Sequence, residues 1–242
     1  KGRGVRGRDL LSVADLSPGE AAHLLQRARK LKQEGPQPLL RQKAIALLFE
    51  KPSLRTRVSF ETGIYQMGGI GQFLSSRDIQ IGRGEPIYDT AAVLSRFVDG
   101  IMARTFAHQT VTDLAKFGTV PVINGLTDQE HPCQIMADLQ TVREEFGSLE
   151  GLNFVYIGDG NNMAHSYMQG TGKVGMHCTI VTPKDKKYSC MPDLIIKAEA
   201  DHKAQGTKLV ITDDPNAGIK GAHVVATDTW VSMGQEEEKA ER

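Results

Sequence analysis

Cysteine is scarce. Cys133, Cys178 and Cys190 are the chain's three, and no two of them stand in a Cys-x-x-Cys pair. That excludes a disulfide-stapled secreted scaffold and the common zinc-ribbon spacings. The three read as reduced thiols in a reducing compartment, either a bacterial cytoplasm or the matrix or stroma of an organelle. No apolar run approaches the ~18 residues of a membrane span. The basic stretch from Lys1 to Arg8 lacks the apolar core of a secretory signal. An excess of one charge is missing too, since Lys plus Arg and Asp plus Glu each number 29. A neutral chain has no electrostatic footprint for nucleic acid or an anionic membrane. A phosphate-bearing ligand would have to be held by a local cluster of charge. Internal repeats and low-complexity segments are also absent.

What is present is enough apolar sequence, 40% of 242 residues, for one large or two small domains. Ser17-Pro18-Gly19-Glu20 predicts a helix start: Ser17 as cap, Pro18 at the first position, Glu20 completing a capping box. Leu24, Leu25, Ala28 and Leu31 follow at helical spacing, and Gly35-Pro36 stops the element. Short apolar runs then predict strands at Ala44 to Phe49, Gly100 to Ala103, Val120 to Ile123, Leu152 to Ile157, Cys178 to Val181, Leu209 to Ile211 and His223 to Ala226. Amphipathic stretches lie between them, including Arg55 to Met67, Tyr88 to Phe97, Cys133 to Phe146 and Asn162 to Val174. Alternation of this kind predicts an α/β chain with two doubly wound parallel-sheet domains and helices on both faces. The stretch from Cys133 to Phe146 is the natural bridge, which places the boundary at Gly147, with domains 1–147 and 148–242. Gln235 to Arg242 is a charged segment without a cap or closing strand, so the second domain is expected to be incomplete at its C-terminus.

The strongest chemical signal is Phe49-Glu50-Lys51-Pro52-Ser53-Leu54-Arg55-Thr56-Arg57, between a strand and a helix. Ser53 stands where an N-cap belongs, and helix N-termini bind anions through their free amides and dipole. Ser53 and Thr56 add hydroxyls, and Arg55 offers a planar fork suited to phosphate oxygens. The alternative is an ordinary capped helix with solvated arginines. Three cations and two hydroxyls within seven residues favour an anion site. Arg57 is the expected bystander, because Glu61 lies four residues on and can pair with it. The loop is neither a Walker A nor a Gly-x-Gly-x-x-Gly motif, so a nucleotide is not indicated.

This string resembles the Ser-x-Arg-Thr-Arg carbamoyl-phosphate loop of the aspartate and ornithine carbamoyltransferases. Three more segments resemble that family in the right order: Ser76-Arg77-Asp78-Ile79-Gln80-Ile81-Gly82, Met102-Ala103-Arg104-Thr105 and His131-Pro132-Cys133-Gln134. The resemblance implies that Ser53, Leu54 (through its backbone), Arg55 and Thr56 hold the phosphate. It implies that Arg104, His131 and Thr56 polarise the carbamoyl oxygen, and that Gln134 meets the carbamoyl amine. Gln80 would reach into a neighbouring subunit's site in a homotrimer. A strand-end arginine and a helix-start histidine can converge at the carboxyl edge of a parallel sheet, where open α/β folds bind ligands. His108 has no such company and reads as structural.

The second domain bears on the acceptor. Tyr156-Ile157-Gly158-Asp159-Gly160-Asn161-Asn162-Met163 follows a strand and opens a helix. Met163 stands where a dinucleotide loop needs its third glycine. Asn161 and Asn162 offer amides suited to a zwitterionic amino acid. The string resembles the Asp-Gly-Asn-Asn segment of the family's ornithine branch, which implies that Asn162 contacts the α-carboxylate. Thr227-Asp228-Thr229-Trp230-Val231-Ser232-Met233-Gly234 resembles the loop that closes over ornithine there. Asp228 would pair with the α-ammonium, with Ser232 and the Met233 backbone completing the grip. Taken without the resemblance, Asp228 reads as a turn residue and Trp230 as a packing anchor.

The resemblance thus implies transfer of a carbamoyl group from carbamoyl phosphate to ornithine, ordered, without metal or organic cofactor. Arg104, His131, Arg55 and Thr56 would be the catalytic groups. Family members carry a His-Cys-Leu-Pro segment after the closing loop, and none occurs before Arg242. Cys178 and Cys190 lie too early to stand in for its cysteine. Three other readings remain open from the residues: a carbamoyltransferase for putrescine or an N-acylated ornithine, a non-catalytic carbamoyl-phosphate-binding fragment, and a nucleotide-dependent oxidoreductase built on Gly158-Asp159-Gly160.

Overall fold

The computed structural model describes residues 7–76 and 86–229. Helix α1 (Pro18–Glu34) begins with the expected reciprocal cap, in which Ser17 Oγ accepts from Glu20 N at 3.3 Å and Glu20 Oε2 accepts from Ser17 N at 2.9 Å. It ends at Gly35, whose φ of 78° suits a residue without a Cβ.

Four strands follow, β1 (Ala44–Phe49), β2 (Ile70–Ser75), β3 (Gly100–Arg104) and β4 (Val122–Leu126). They alternate with α2 (Leu54–Gln66), α3 (Ile87–Phe97) and α4 (His108–Phe117), and α5 (Pro132–Phe146) comes next. All pair in parallel in the order β2-β1-β3-β4. Parallel pairing buries both faces of β1 and β3, which explains their continuous apolar runs. Ala46, Leu48, Ile101 and Ala103 pack with Ala91 of α3 and with Val111 and Leu114 of α4. Leu47, Phe49 and Met102 point the other way and pack with Ile64 of α2. Helices therefore cover both faces. The chain lays β2 on one side of β1 and then returns to lay β3 on the other, so the order reverses between β1 and β3.

A second unit repeats the design with β5 (Asn153–Ile157), β6 (His177–Val181), β7 (Leu209–Thr212) and β8 (Val224–Thr227), ordered β7-β6-β5-β8. Helix α6 (Asn162–Lys173) packs on α7 (Pro192–Ala204). The Tyr167 ring of α6 lies 4.6 Å from Phe154 and 5.4 Å from Tyr156, on one face of the sheet. Short α8 (Pro215–Gly218) covers the opposite face, where Gly218 sits so close that a Cβ would lie 2.5 Å from Val181. Here the order reverses between β5 and β8. The described residues divide into two compact units that meet within α5, between Gln140 and Thr141, and Gly147 follows that helix directly.

The expected fold class holds, and all seven expected strands are present. The eighth, β2, went unpredicted because Gly71 and Gln72 break its apolar run and, among the described residues, one side of it has no partner strand. Helices α4 and α7 begin without a side-chain cap, at Ala107 and Met191, and only Pro192 at the first position of α7 marks either start. No helix among the described residues is long and apolar enough to cross a membrane.

Candidate active site

The first reversal point carries the loop from Lys51 to Arg57. Ligands of open α/β sheets bind at such points, outside the carboxyl ends of the strands, and β1 and β3 end here at Phe49 and Arg104. The backbone ties the two ends together, with Glu50 N donating to Arg104 O at 2.9 Å. Ser53 caps α2: its Oγ accepts from Thr56 N at 3.2 Å and donates to Thr56 Oγ1 at 3.0 Å. Arg104 Nη1 donates to the same Thr56 Oγ1 at 3.3 Å. Ser53, Thr56 and Arg104 are thus joined by hydrogen bonds across 48 positions of sequence. Leu54, 79% exposed, leaves its backbone amide at the helix start, and Arg55 is exposed beside it. Arg57 pairs with Glu61 at 3.3 Å and stacks 3.6 Å over the Phe73 ring, as a bystander should.

Electrostatics at this point favour an anion. Arg104 is only 5% exposed, and its Nε is buried without a hydrogen-bond partner among the described residues. Burial lowers its pKa, and the nearby charge of Arg55 lowers it further. Among the described residues neither cation forms an ion pair with a carboxylate, and an arriving phosphate would relieve both. A register shift between Ala103 and Arg104 in the β3–β4 pairing sits at the same place, a bulge of the kind that re-aims a side chain. His131 stands at the start of α5, where its carbonyl accepts from Gln134 N and Ile135 N at 3.1 and 3.3 Å. Its pKa is lowered to about 3, first by burial and then by the Arg104 charge. The imidazole is therefore neutral at ordinary pH, with one N–H donor and one acceptor. Gln134 is exposed, with its amide turned to Asp138 Oδ1 at 2.9 Å.

The second unit has its own site at its own reversal point. Asn161 caps α6, its Oδ1 accepting from Met163 N at 3.0 Å and Ala164 N at 3.3 Å. Asn161 Nδ2 donates to Asp228 Oδ2 at 3.3 Å, from the loop after β8. Asn162 is half-buried at the first position of α6 and Asp228 is exposed. Gly160 is required by close approach, since a Cβ there would lie 2.3 Å from Cys190 N and 2.4 Å from Ser189 C. That neighbouring segment is pinned by Met191 N donating to the buried His165 Nε2 at 3.0 Å and by Gly160 N donating to Tyr188 O at 2.6 Å. Gln80, Ser232 and Met233 lie outside the described residues, as do most of the segment 76–82 and Trp230.

Two protein-family models match the chain. One, the aspartate/ornithine carbamoyltransferase carbamoyl-P binding domain, spans residues 8–144, and the other, the Asp/Orn binding domain of the same family, spans 150–242. The chain belongs to the aspartate/ornithine carbamoyltransferase family. The ornithine carbamoyltransferase of Oceanobacillus iheyensis is 51% identical over 242 residues, which cover 98% of this chain and 74% of that protein. The Bacillus subtilis ornithine carbamoyltransferase is 49% identical over 236 residues, covering 98% and 73%. Among solved structures, the ornithine carbamoyltransferase from Pyrococcus furiosus superposes with a TM-score of 0.94 at 44% identity, covering 100% of this chain and 78% of that one. The anabolic ornithine carbamoyltransferase from Campylobacter jejuni gives 0.91 at 38% identity, over 97% and 77%.

This carbamoyltransferase chain also holds site residues to which its sequence assigned no role. Lys51, 6% exposed, forms an ion pair with Asp128 and lies 4.6 Å over the Phe106 ring. Glu50 Oε2 accepts from Phe106 N at 3.0 Å. Together they lash the phosphate loop to the segments after β3 and β4. Nothing in the spacing of Lys51 and Asp128, 77 positions apart, announces the pair. His108 meets Thr127 Oγ1 at 3.0 Å, in keeping with a structural role. Cys133, Cys178 and Cys190 are free thiols, each pushed up to about 12 by burial, so none is a ready nucleophile at neutral pH.

Proposed function

We propose that this chain carries out the ornithine carbamoyltransferase reaction, moving the carbamoyl group of carbamoyl phosphate to the δ-amine of L-ornithine to give citrulline and phosphate. One observation carries the reading. The capped start of α2, Arg55, Arg104 and the neutral His131 gather at one reversal point, with a buried arginine nitrogen that has no hydrogen-bond partner among the described residues.

In this reading the amides of Leu54, Arg55 and Thr56 and the hydroxyls of Ser53 and Thr56 take the phosphate oxygens, and Arg55 adds a bidentate charged contact. Arg104 and a His131 N–H direct donors at the carbamoyl oxygen, with the one Thr56 O–H shared between that oxygen and the phosphate, and Gln134 turns from Asp138 to the carbamoyl NH2. The δ-amine attacks neutral, and its lone pair forms the new N–C bond as charge builds on the carbamoyl oxygen. That charge is met by fixed donors, each typically worth about 10²–10³ in rate for such oxyanions. Collapse breaks the C–O bond to phosphate, and the departing phosphate takes the amine proton. A neutral His131 suits this role, because a donor that stays neutral adds no third positive charge beside Arg55 and Arg104.

Asn162 and Asp228 take the α-carboxylate and α-ammonium of ornithine, with Ser232 and Met233 closing the grip. The assembly is a homotrimer in which Gln80 reaches a neighbour's site, working in a reducing compartment that keeps the three cysteines as thiols. An acceptor panel tests the reading. Ornithine, aspartate, putrescine and N-acetylornithine are offered with carbamoyl phosphate, and each carbamoylated product is quantified. Citrulline should dominate. A larger rate with putrescine or N-acetylornithine would reassign the acceptor, and no transfer to any amine would sink the reading. Light scattering at three times the chain mass tests the trimer.

A further inference from the structure

We propose that Asn161 is a positioning residue for the acceptor amine: its amide, held by the α6 cap and by Tyr156, sets the Asp228 carboxylate to receive the α-ammonium of ornithine. The inference deepens the transferase reading and rests on it.

The two ends of an asparagine amide are chemically distinct, and here the surroundings decide which end points where. Asn161 Oδ1 faces two backbone N–H groups, Met163 N at 3.0 Å and Ala164 N at 3.3 Å. Neither can accept a hydrogen bond, so the oxygen has to lie on that side. Tyr156 OH, 3.3 Å from the same oxygen, must then be the donor in its pair. With the oxygen committed three times over, the NH2 group is left facing Asp228 Oδ2 at 3.3 Å. The other carboxylate oxygen, Oδ1, accepts from Thr229 N at 2.8 Å. Each oxygen of Asp228 is thus held by one donor, which fixes the carboxylate plane while leaving lone pairs for a cation.

Tyr156 secures this arrangement from below. It is fully buried at the end of β5, and its hydroxyl packs so tightly on Gly158 that a Cβ there would lie 2.6 Å away. A tilted ring contact with Tyr167 of α6, 5.4 Å between centroids, fixes its direction. A chain therefore runs from the buried sheet through Tyr156 OH and the Asn161 amide to the exposed Asp228. An ordinary helix cap needs only the oxygen. The NH2 group's contact with the one carboxylate assigned to the α-ammonium is what a cap alone does not require.

Substitution separates the two roles of Asn161, because serine also caps helices well but has no NH2 group to reach Asp228. Asn161→Ser keeps the helix cap but takes away the acceptor of the buried Tyr156 hydroxyl, so the melting temperature should fall by about 2–4 °C. Carbamoyl-phosphate affinity should be kept while KM for ornithine rises about three- to tenfold, the loss of one charged hydrogen bond at a wet site, with kcat little changed. Asn161→Ala loses the cap too and should melt lower. Tyr156→Phe leaves the cap in place and should raise the ornithine KM by a smaller factor; it decides the matter if Asn161→Ser fails to fold. An unchanged ornithine KM in folded Asn161→Ser, or in Tyr156→Phe in its place, overturns the inference while leaving the transferase reading intact. A wild type that makes no citrulline overturns the transferase reading and the inference with it.

Discussion

Thr56→Val is the most informative single change in the phosphate loop. Valine has nearly the shape of threonine, and the Ser53 cap bond uses the Thr56 backbone N–H, which the substitution keeps. What is lost is one oxygen that accepts from Ser53 Oγ at 3.0 Å and from Arg104 Nη1 at 3.3 Å. Ser53 is half-buried and can turn to water, whereas Arg104 is 5% exposed and its Nε already has no partner among the described residues. Stranding a second Arg104 nitrogen should cost about 1 kcal/mol, the low end for a buried donor because the bond is long. In a chain of this size that lowers the melting temperature by about 2–4 °C. Ligand binding feels two opposing effects. The Thr56 hydroxyl is lost as a charge-assisted donor to phosphate, at about 1.5–3 kcal/mol. Against that, a stranded Arg104 gains up to about 1 kcal/mol by meeting the ligand. With that full offset the net loss of about 0.5–2 kcal/mol is a two- to thirtyfold weaker dissociation constant for carbamoyl phosphate. Calorimetric titration of wild type and variant reads it, with thermal unfolding alongside. Unchanged or tighter binding with a lowered melting temperature would refute the reasoning, since Thr56 would then serve only the loop's own structure.

Arg55→Ala should weaken carbamoyl-phosphate binding by tenfold or more, on the ~1.5–3 kcal/mol of a bidentate charged contact, yet leave thermal stability alone because Arg55 is exposed; unchanged affinity would remove it from the site. His131 gives a pH signature. Its folded pKa is lowered to about 3, so between an unfolded value of ~6.5 and that figure the unfolded chain binds a proton that the native one refuses. Stability from this group is therefore complete above about pH 6.5 and falls with pH below it, by up to about 1.4 kcal/mol per unit; His131→Gln should flatten that slope in denaturant titrations, and an unaltered slope would contradict the assignment. Gly160→Ala would drive a methyl against the backbone of Ser189 and Cys190, at 2.4 and 2.3 Å; a lowered melting temperature and a raised ornithine KM should follow, with carbamoyl-phosphate affinity kept.

Much of this was legible in the sequence because the strongest signals were local. The Ser17 and Ser53 caps, the Arg57–Glu61 pair and the apolar runs of β1, β3 and β5 all depend on neighbours within a few residues. The phosphate loop was legible because charge and hydroxyls crowd one helix start. What escaped notice depends on distant partners. The Lys51–Asp128 pair closes only when β1 and β4 enter one sheet, and β2 reads poorly because an edge strand need not be apolar throughout. Asn161 and Asn162 look equivalent as neighbours in the chain. Only the fold separates them, by using Asn161 as the cap and turning its NH2 group to Asp228.

The most direct test of carbamoyl transfer is the stoichiometry of citrulline and phosphate released from carbamoyl phosphate as ornithine is added. Phosphate release that depends on ornithine and matches citrulline mole for mole is the predicted result. Phosphate release that is the same with and without ornithine, and unaccompanied by citrulline, would contradict it.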